Sequence, residues 1–89
     1  MLERQITIIN KLGLHARAAA KLVSTASTHE AEVSIEKDGQ EVNAKSIMGV
    51  MMLAAACGSQ VTLKTSGADE REAMQALQAL IEDRFGEGE

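Results

Sequence analysis

The chain has 89 residues, 45% of them hydrophobic, and a formal net charge of −4 at pH 7. A chain of this length supports one domain with one core, so we expect a single domain over residues 1–89. Acidic and basic residues are interspersed along it. This argues against a nucleic acid or an anionic membrane as the main partner, because both are bound through clustered Lys and Arg.

Individual residue types disfavour several kinds of site and location. Cys57 is the only cysteine, so an internal disulfide and a four-cysteine metal site are excluded. We expect no metal and no cofactor. The N-terminal segment lacks the basic and then apolar pattern of a secretory leader, and no apolar run reaches the about 18 residues that a membrane span needs. We therefore expect a soluble cytoplasmic protein.

The first half of the chain predicts a strand, a helix and a hairpin. Leu2 to Ile9 alternates imperfectly between apolar and polar residues, as a strand does. Ala16 to about Thr28 carries an apolar stripe at helical spacing. Ala31 to Glu36 alternates again, and Asp38-Gly39 is typical of a two-residue hairpin turn. A short third strand then returns over Glu41 to Asn43.

The second half predicts a helix, a strand and a further helix. Ser46 is placed as the N-cap of the second helix, and Gly58 is placed as its C-terminal glycine. Gln60 to Thr65 alternates as a strand. Asp69 and Glu72 then have the spacing of a capping box at the start of the third helix.

The order of these elements is β-α-β-β-α-β-α, and the strands are too short to pack alone. We predict an α+β fold, an open-faced sandwich in which a four-stranded antiparallel sheet is covered on one face by three helices. The other sheet face is expected to be polar. The closing residues Gly86-Glu87-Gly88-Glu89 predict a frayed tail.

The most informative stretch lies where the first strand ends and the first helix begins. Gly13 permits a turn, and His15 follows it at the start of the helix. The first N–H groups of a helix have no intrahelical partner and lie at the positive end of its dipole, which suits an anion. Arg17 could neutralise a phosphate, and the backbone N–H groups of Ala16 and Arg17 could bind its oxygens. We hypothesise that His15 is covalently phosphorylated; the alternative is a surface histidine beside a solvated Arg17.

Two motifs carry a resemblance to a known family. The stretches Lys11-Leu12-Gly13-Leu14-His15-Ala16-Arg17 and Lys45-Ser46-Ile47-Met48-Gly49-Val50-Met51 resemble the histidine-containing phosphocarrier protein (HPr) family of the bacterial phosphoenolpyruvate-dependent phosphotransferase system. The likeness covers nearly the whole chain. Members of this family commonly have proline where this chain has Ala18, which is a good helix former and adds one N–H donor near the site.

The resemblance implies a function and partners. It implies that His15 accepts a phosphoryl group from Enzyme I, at Nδ1, and passes it to an Enzyme IIA component. It also implies that Ser46 is a regulatory phosphorylation site for HPr kinase/phosphorylase. Such a carrier is a substrate of enzymes more than an enzyme. The alternatives are a mainly regulatory carrier of the nitrogen-related branch, an anion-binding regulatory α+β domain, and a small enzyme such as an acyl phosphatase.

The second helix has too wide an apolar arc to bury all of its large side chains. We predict that Ile47, Met48 and Met51 flank His15 and form a patch that docks partners, since methionine adapts to several surfaces. The sequence shows no heptad pattern, so we expect a monomer with transient partners. His29 is interpreted as a capping or surface residue and Cys57 as a packing residue.

Overall fold

The computed structural model describes residues 1–89 and contains one four-stranded antiparallel sheet and three α-helices. In chain order the elements are β1 (Leu2–Thr7), α1 (Ala16–Ser27), β2 (Glu32–Lys37), β3 (Gln40–Asn43), α2 (Ile47–Met52), β4 (Gln60–Ser66), α3 (Glu70–Glu82) and a short 3-10 helix, η1 (Arg84–Gly86). The predicted α+β open-faced sandwich and its βαββαβα order are confirmed.

The strands lie side by side in the order β1-β4-β2-β3, so the two strands in the centre are β4 and β2. Ile35 pairs with Leu63 across that central ladder, and both are fully buried under the helices. The opposite face is polar: the ammonium of Lys64 lies 3.1 Å from Glu36 and 2.7 Å from Glu41. The hydrogen bond to Glu41, followed by that to Glu36, raises the pKa of Lys64. The alternation of side chains thus separates a core face from a charged one.

The core lies between the sheet and the helices α1 and α3. Leu22 of α1 and Leu77 of α3 are fully buried, as the helical spacing of apolar residues predicts. Phe85 is the only aromatic residue of the chain, and it is also fully buried. No helix is both long and apolar enough to cross a membrane.

The second helix is shorter than its sequence predicts. It ends at Met52, and the positive φ that follows is at Ala54 (50°), so Gly58 as its C-terminal glycine is wrong. Gly58 instead lies in the turn before β4, where its N–H donates to the carbonyl of Ile8 over 2.7 Å. A right-handed helix cannot continue through the positive φ of Ala54, and the next residue, Ala55, is buried and accepts a bond from the loop before α1.

The predicted capping box at the start of α3 is also wrong. Asp69 occupies the N-cap position, but its side chain makes no bond to its own helix. Its carboxylate accepts the N–H groups of Glu30 at 2.9 Å and Ala31 at 2.7 Å. The bond from Glu30 is the first cause of the lowered pKa of Asp69. Asp69 therefore joins α3 to the connection between α1 and β2.

The C-terminal residues are ordered against α1, so the predicted frayed tail is wrong. Arg84 and Phe85 both take a φ of 54°, which turns the chain back after α3. The ammonium of Lys21 donates to the carbonyl of Phe85 at 2.6 Å, and the N–H of Lys11 donates to the carbonyl of Glu89 at 2.8 Å. Burial of Phe85 holds the start of this segment, which brings the last residues to the strand-to-helix seam.

Candidate functional site

The loop before α1 is shaped by Gly13, which has a φ of 67°. A Cβ at this position would lie 2.5 Å from the carbonyl oxygen of Ala55, a distance that no side chain tolerates. The loop is closed by a bond from the Gly13 N–H to the carbonyl of Asn10 at 3.1 Å, and the Asn10 amide returns a bond to the Gly13 carbonyl at 2.8 Å. This compact turn places His15 at the beginning of the helix.

His15 is the N-cap residue of α1, yet its ring forms no capping hydrogen bond. Its backbone carbonyl accepts the N–H of Ala19 at 2.8 Å, which is the first bond of the helix. The N–H groups of Ala16, Arg17 and Ala18 have no acceptor within the protein. Three free donors and the positive end of a 12-residue helix therefore lie directly beside the imidazole.

The ring of His15 is held from the C-terminal segment. Its Nε2 is hydrogen-bonded to Oε2 of Glu87, and the Asn10 amide donates to Oε1 of the same carboxylate at 3.0 Å. The side chain of Glu87 is only 12% exposed, against 29% for His15. The bonds from Asn10 and then His15 lower the pKa of Glu87. The carboxylate is therefore ionised near neutral pH, and Nδ1 of His15 is the ring nitrogen left without a partner.

A cleft of about 610 Å³ opens at this point of the surface. Its lining includes His15, Ala16 and Arg17, the three residues that the sequence predicts for the phosphoryl site. Arg17 is exposed, and the side chains of Lys11 and Lys21 line the same cleft. Glu87 and Glu89 line the cleft as well; Lys11 lies 3.7 Å from Glu89, and Lys21 is bonded to the carbonyl of Phe85. Arg17 is thus the cation of the cleft that has no partner in the protein, and its guanidinium beside His15 can bind a phosphate.

The second predicted motif lies on α2. The hydroxyl of Ser46 accepts the N–H of Gly49 at 3.1 Å, so the predicted N-cap is confirmed. Met48 is 74% exposed, and Ile47 and Met51 are 43% and 41% exposed, whereas Val50 is fully buried. The helix α2 packs against α1, the helix that begins after His15. That Ile47, Met48 and Met51 flank His15 stays a prediction.

Comparison with known proteins gives a consistent result. The family model described as "PTS HPr component phosphorylation site" matches residues 2–83 of this chain. The phosphocarrier protein HPr of Cupriavidus necator is 64% identical over 89 residues, which is the full length of both chains. The crystal structure of HPr-C-His from Thermoanaerobacter tengcongensis superposes with a TM-score of 0.95 at 53% identity and covers 98% of each chain.

The chain belongs to the HPr family. Members of this family are phosphocarrier proteins of the phosphotransferase system and not enzymes, so the predicted class of protein is confirmed. A crystal structure described as an HPr dimer from the same Thermoanaerobacter species has a TM-score of 0.79 at 53% identity, and the match covers 98% of this chain and 100% of that one. Since this relative is described as a dimer, the monomeric state expected for the present chain stays a prediction.

Two further residues that the sequence singled out lie outside this cleft. The backbone N–H of His29 donates to the carbonyl of Ala26 at 3.2 Å, and its Nδ1 lies 3.0 Å from the carbonyl of Thr25, so it caps the end of α1 as predicted. Cys57 is exposed, and its interpretation as a packing residue is wrong, because the turn before β4 lies at the surface. No three His, Cys, Asp or Glu side chains are grouped as a metal site would require.

The sequence does not predict the partner that touches the imidazole. Glu87, which the sequence places in a frayed tail, is bonded to the His15 ring, and Asn10 in turn donates to Glu87. One signal was available: Phe85, as the only aromatic residue, favoured an anchored C-terminal segment over a frayed one. The contact of Glu87 with His15 depends on the turn at residues 84–85. Neither of these residues is a glycine, so the sequence does not predict their positive φ values.

Proposed function

We propose that this protein carries a phosphoryl group on His15 and moves it from Enzyme I to an Enzyme IIA component. The observation that carries the proposal is the position of the His15 ring, which stands beside three unpaired N–H groups without using its own nitrogens to cap them. Histidine suits the role, because its neutral nitrogen is available as a nucleophile near neutral pH. The full-length similarity to phosphocarriers supports the same role.

Nδ1 is the proposed acceptor nitrogen. The hydrogen bond to Glu87 occupies Nε2, which leaves the lone pair of Nδ1 free to attack phosphorus. The phosphoryl oxygens would then be bound by the N–H groups of Ala16 and Arg17, with a further donor at Ala18 where family members commonly have proline. The guanidinium of Arg17 would balance part of the charge that the group brings.

Ser46 is proposed as a regulatory phosphorylation site for an HPr kinase. Its hydroxyl caps α2 and lies at the edge of the exposed apolar surface. A phosphate there adds a charge of about −1.5 to −2, which suits a helix N-terminus but changes the electrostatics of the neighbouring surface. The expected effect is therefore on the docking of partners and not on the fold.

Ile47, Met48 and Met51 are proposed as the patch on which partner proteins dock. Their exposure is unusual for large apolar side chains, and a carrier has to fit both the protein that supplies the phosphoryl group and the protein that receives it. A small patch is consistent with transient complexes of a monomeric single domain over residues 1–89, and the proposed location is the cytoplasm.

The proposal is tested by incubating the protein with Enzyme I and phosphoenolpyruvate. The protein should take up an acid-labile phosphoryl group and release it to an Enzyme IIA component. The His15→Ala variant should take up none, and His29→Ala should behave as the wild type. A protein that stays unlabelled, or binds phosphate only reversibly, would instead be an anion-binding domain. Transfer only to Enzyme IIA of the nitrogen-related branch would assign it to that branch.

A further inference from the structure

We propose that Glu87 is a positioning residue for phosphoryl transfer, which fixes the proton of the His15 ring on Nε2 and serves as the counter-charge of the phosphorylated ring. This inference rests on the proposed function of His15. It adds to the site a carboxylate that lies 72 residues away in the sequence and belongs to the C-terminal segment.

Glu87 is held in place from three sides. Its Oε1 accepts the amide of the fully buried Asn10 at 3.0 Å, and its Oε2 is bonded to Nε2 of His15. The chain before it is anchored by the buried Phe85, whose carbonyl accepts the ammonium of Lys21 at 2.6 Å. The Glu87 side chain is 12% exposed. A carboxylate held this firmly can orient the ring that it contacts.

The chemistry of a carboxylate decides which ring nitrogen is free. An ionised carboxylate only accepts hydrogen bonds, so Nε2 has to be the protonated nitrogen of the neutral ring. The lowered pKa of Glu87 is consistent with the ionised form. The lone pair then remains on Nδ1. Carboxylates that orient histidines through the second ring nitrogen act in the same way in catalytic and metal sites.

The phosphoryl transfer to His15 requires no movement of the Nε2 proton. The lone pair of Nδ1 forms the nitrogen–phosphorus bond, while the bond between phosphorus and the donor protein breaks and its electron pair returns to the donor. The Nε2 proton does not move, so the His15 ring gains one positive charge. Glu87 lies directly against that charge, and Arg17, which lines the same cleft without a partner in the protein, can bind the phosphoryl oxygens. In the onward transfer, the same electron pair returns to Nδ1.

The first test observes the ring in the free protein. Nitrogen-15 NMR of the wild type should show the neutral His15 ring as the Nε2–H tautomer, with a proton on Nε2 that exchanges slowly with water. In Glu87→Gln the side-chain amide can donate as well as accept, so the Nδ1–H tautomer should become populated and the slow exchange should be lost. Glu82→Gln is the matched control, since it removes one carboxylate from the exposed end of α3.

The second test follows the transfer from Enzyme I, with this protein as the varied substrate. We expect kcat for Glu87→Gln to fall about tenfold with an unchanged KM, because the lost interaction is made by the ring and not by the docking surface. Glu82→Gln should keep both constants. For Glu87→Gln, a change in KM alone, wild-type kinetics or faster transfer would overturn the proposal. So would a nitrogen-15 spectrum in which the variant keeps the tautomer of the wild type.

The two proposals fail in different ways. If the wild type takes up no phosphoryl group, the proposed function of His15 fails, and the role of Glu87 fails with it. If the wild type is labelled and Glu87→Gln is labelled at the same rate, only the role of Glu87 is overturned. Circular dichroism of both variants separates these results from a loss of the fold.

Discussion

The N–H of Leu14 donates to the carbonyl of Ala55 at 2.9 Å, and this bond joins the loop that carries His15 to the segment after α2. Leu14 and Ala55 are both buried. The bond places the candidate phosphoryl acceptor on a rigid turn, and it links that turn to the helix that bears the exposed methionines. Because Gly13 lies against the same carbonyl, the backbone there has no room for a side chain.

Gly13→Ala should destabilise the protein more than Gly39→Ala. Both glycines have a positive φ, and an alanine in that region costs about 1–2 kcal/mol. A Cβ at Gly39 would meet nothing within 4 Å, whereas at Gly13 it would lie 2.5 Å from the Ala55 oxygen. We expect the overlap to cost about 1–3 kcal/mol more, as urea unfolding would show. Equal losses for the two variants would contradict the close contact.

The carboxyl group of Glu87 should titrate below its ordinary value of 4.5 in the folded protein, because Asn10 and then His15 donate to its charged form. A carboxyl group whose pKa is lower in the folded than in the unfolded protein stabilises the fold at any pH above the unfolded-state pKa. That stabilisation is lost as the pH falls through the folded-state pKa. In His15→Ala the pKa of Glu87 should rise and remain below 4.5, since the bond from Asn10 persists. Carbon-13 NMR titration of the side-chain carboxyl measures both values. An unchanged pKa in the variant would argue against the contact.

Ser46→Ala and Ser46→Asp should separate the capping role from the regulatory one. Ser46→Ala loses the acceptor for the Gly49 N–H and should lower the free energy of unfolding by about 1 kcal/mol. Ser46→Asp keeps an acceptor at the cap and should stay within about 0.5 kcal/mol of the wild type. If a charge at this position controls docking, Ser46→Asp should slow transfer from Enzyme I while Ser46→Ala does not. Equal transfer rates in both variants would remove the regulatory role.

Met48→Asp should impair phosphoryl transfer without unfolding the domain. The side chain is 74% exposed, so the substitution adds a charge to the proposed docking patch and leaves the core intact. Gln75→Asp is the control, because it places the same charge on an exposed position of α3, outside the helix that carries the patch. Transfer kinetics and thermal unfolding of both variants check the prediction. Unfolding of Met48→Asp, or equal slowing by both variants, would contradict the patch.

The parts of the fold that local patterns determine were predicted from the sequence. Alternation and helical spacing gave the strands and helices, and a serine before an apolar run gave the cap at Ser46. Features that depend on distant segments were not predictable in this way. Asp69 has the local chemistry of a cap, but it bonds to the backbone of Glu30 and Ala31, which only the packed structure places beside it.

The candidate site also has a part that the local sequence predicts and a part that depends on distant segments. His15, Arg17 and the free N–H groups follow from the start of a helix, so one stretch of sequence was enough to find them. Glu87 was missed, because a Gly-Glu-Gly-Glu sequence has the composition of a flexible end. Its position depends on the burial of Phe85 and on two consecutive positive φ values, at Arg84 and Phe85, that no local pattern signals.

The identity of the phosphorylated atom tests the central claim most directly. After reaction with Enzyme I and phosphoenolpyruvate, phosphorus-31 and nitrogen-15 NMR of the labelled protein should show one nitrogen–phosphorus bond, at Nδ1 of His15, that is stable in base and lost in acid. The His15→Ala protein should show no such signal under the same conditions. A phosphoryl group on another residue, or one that His15→Ala still accepts, would contradict the account.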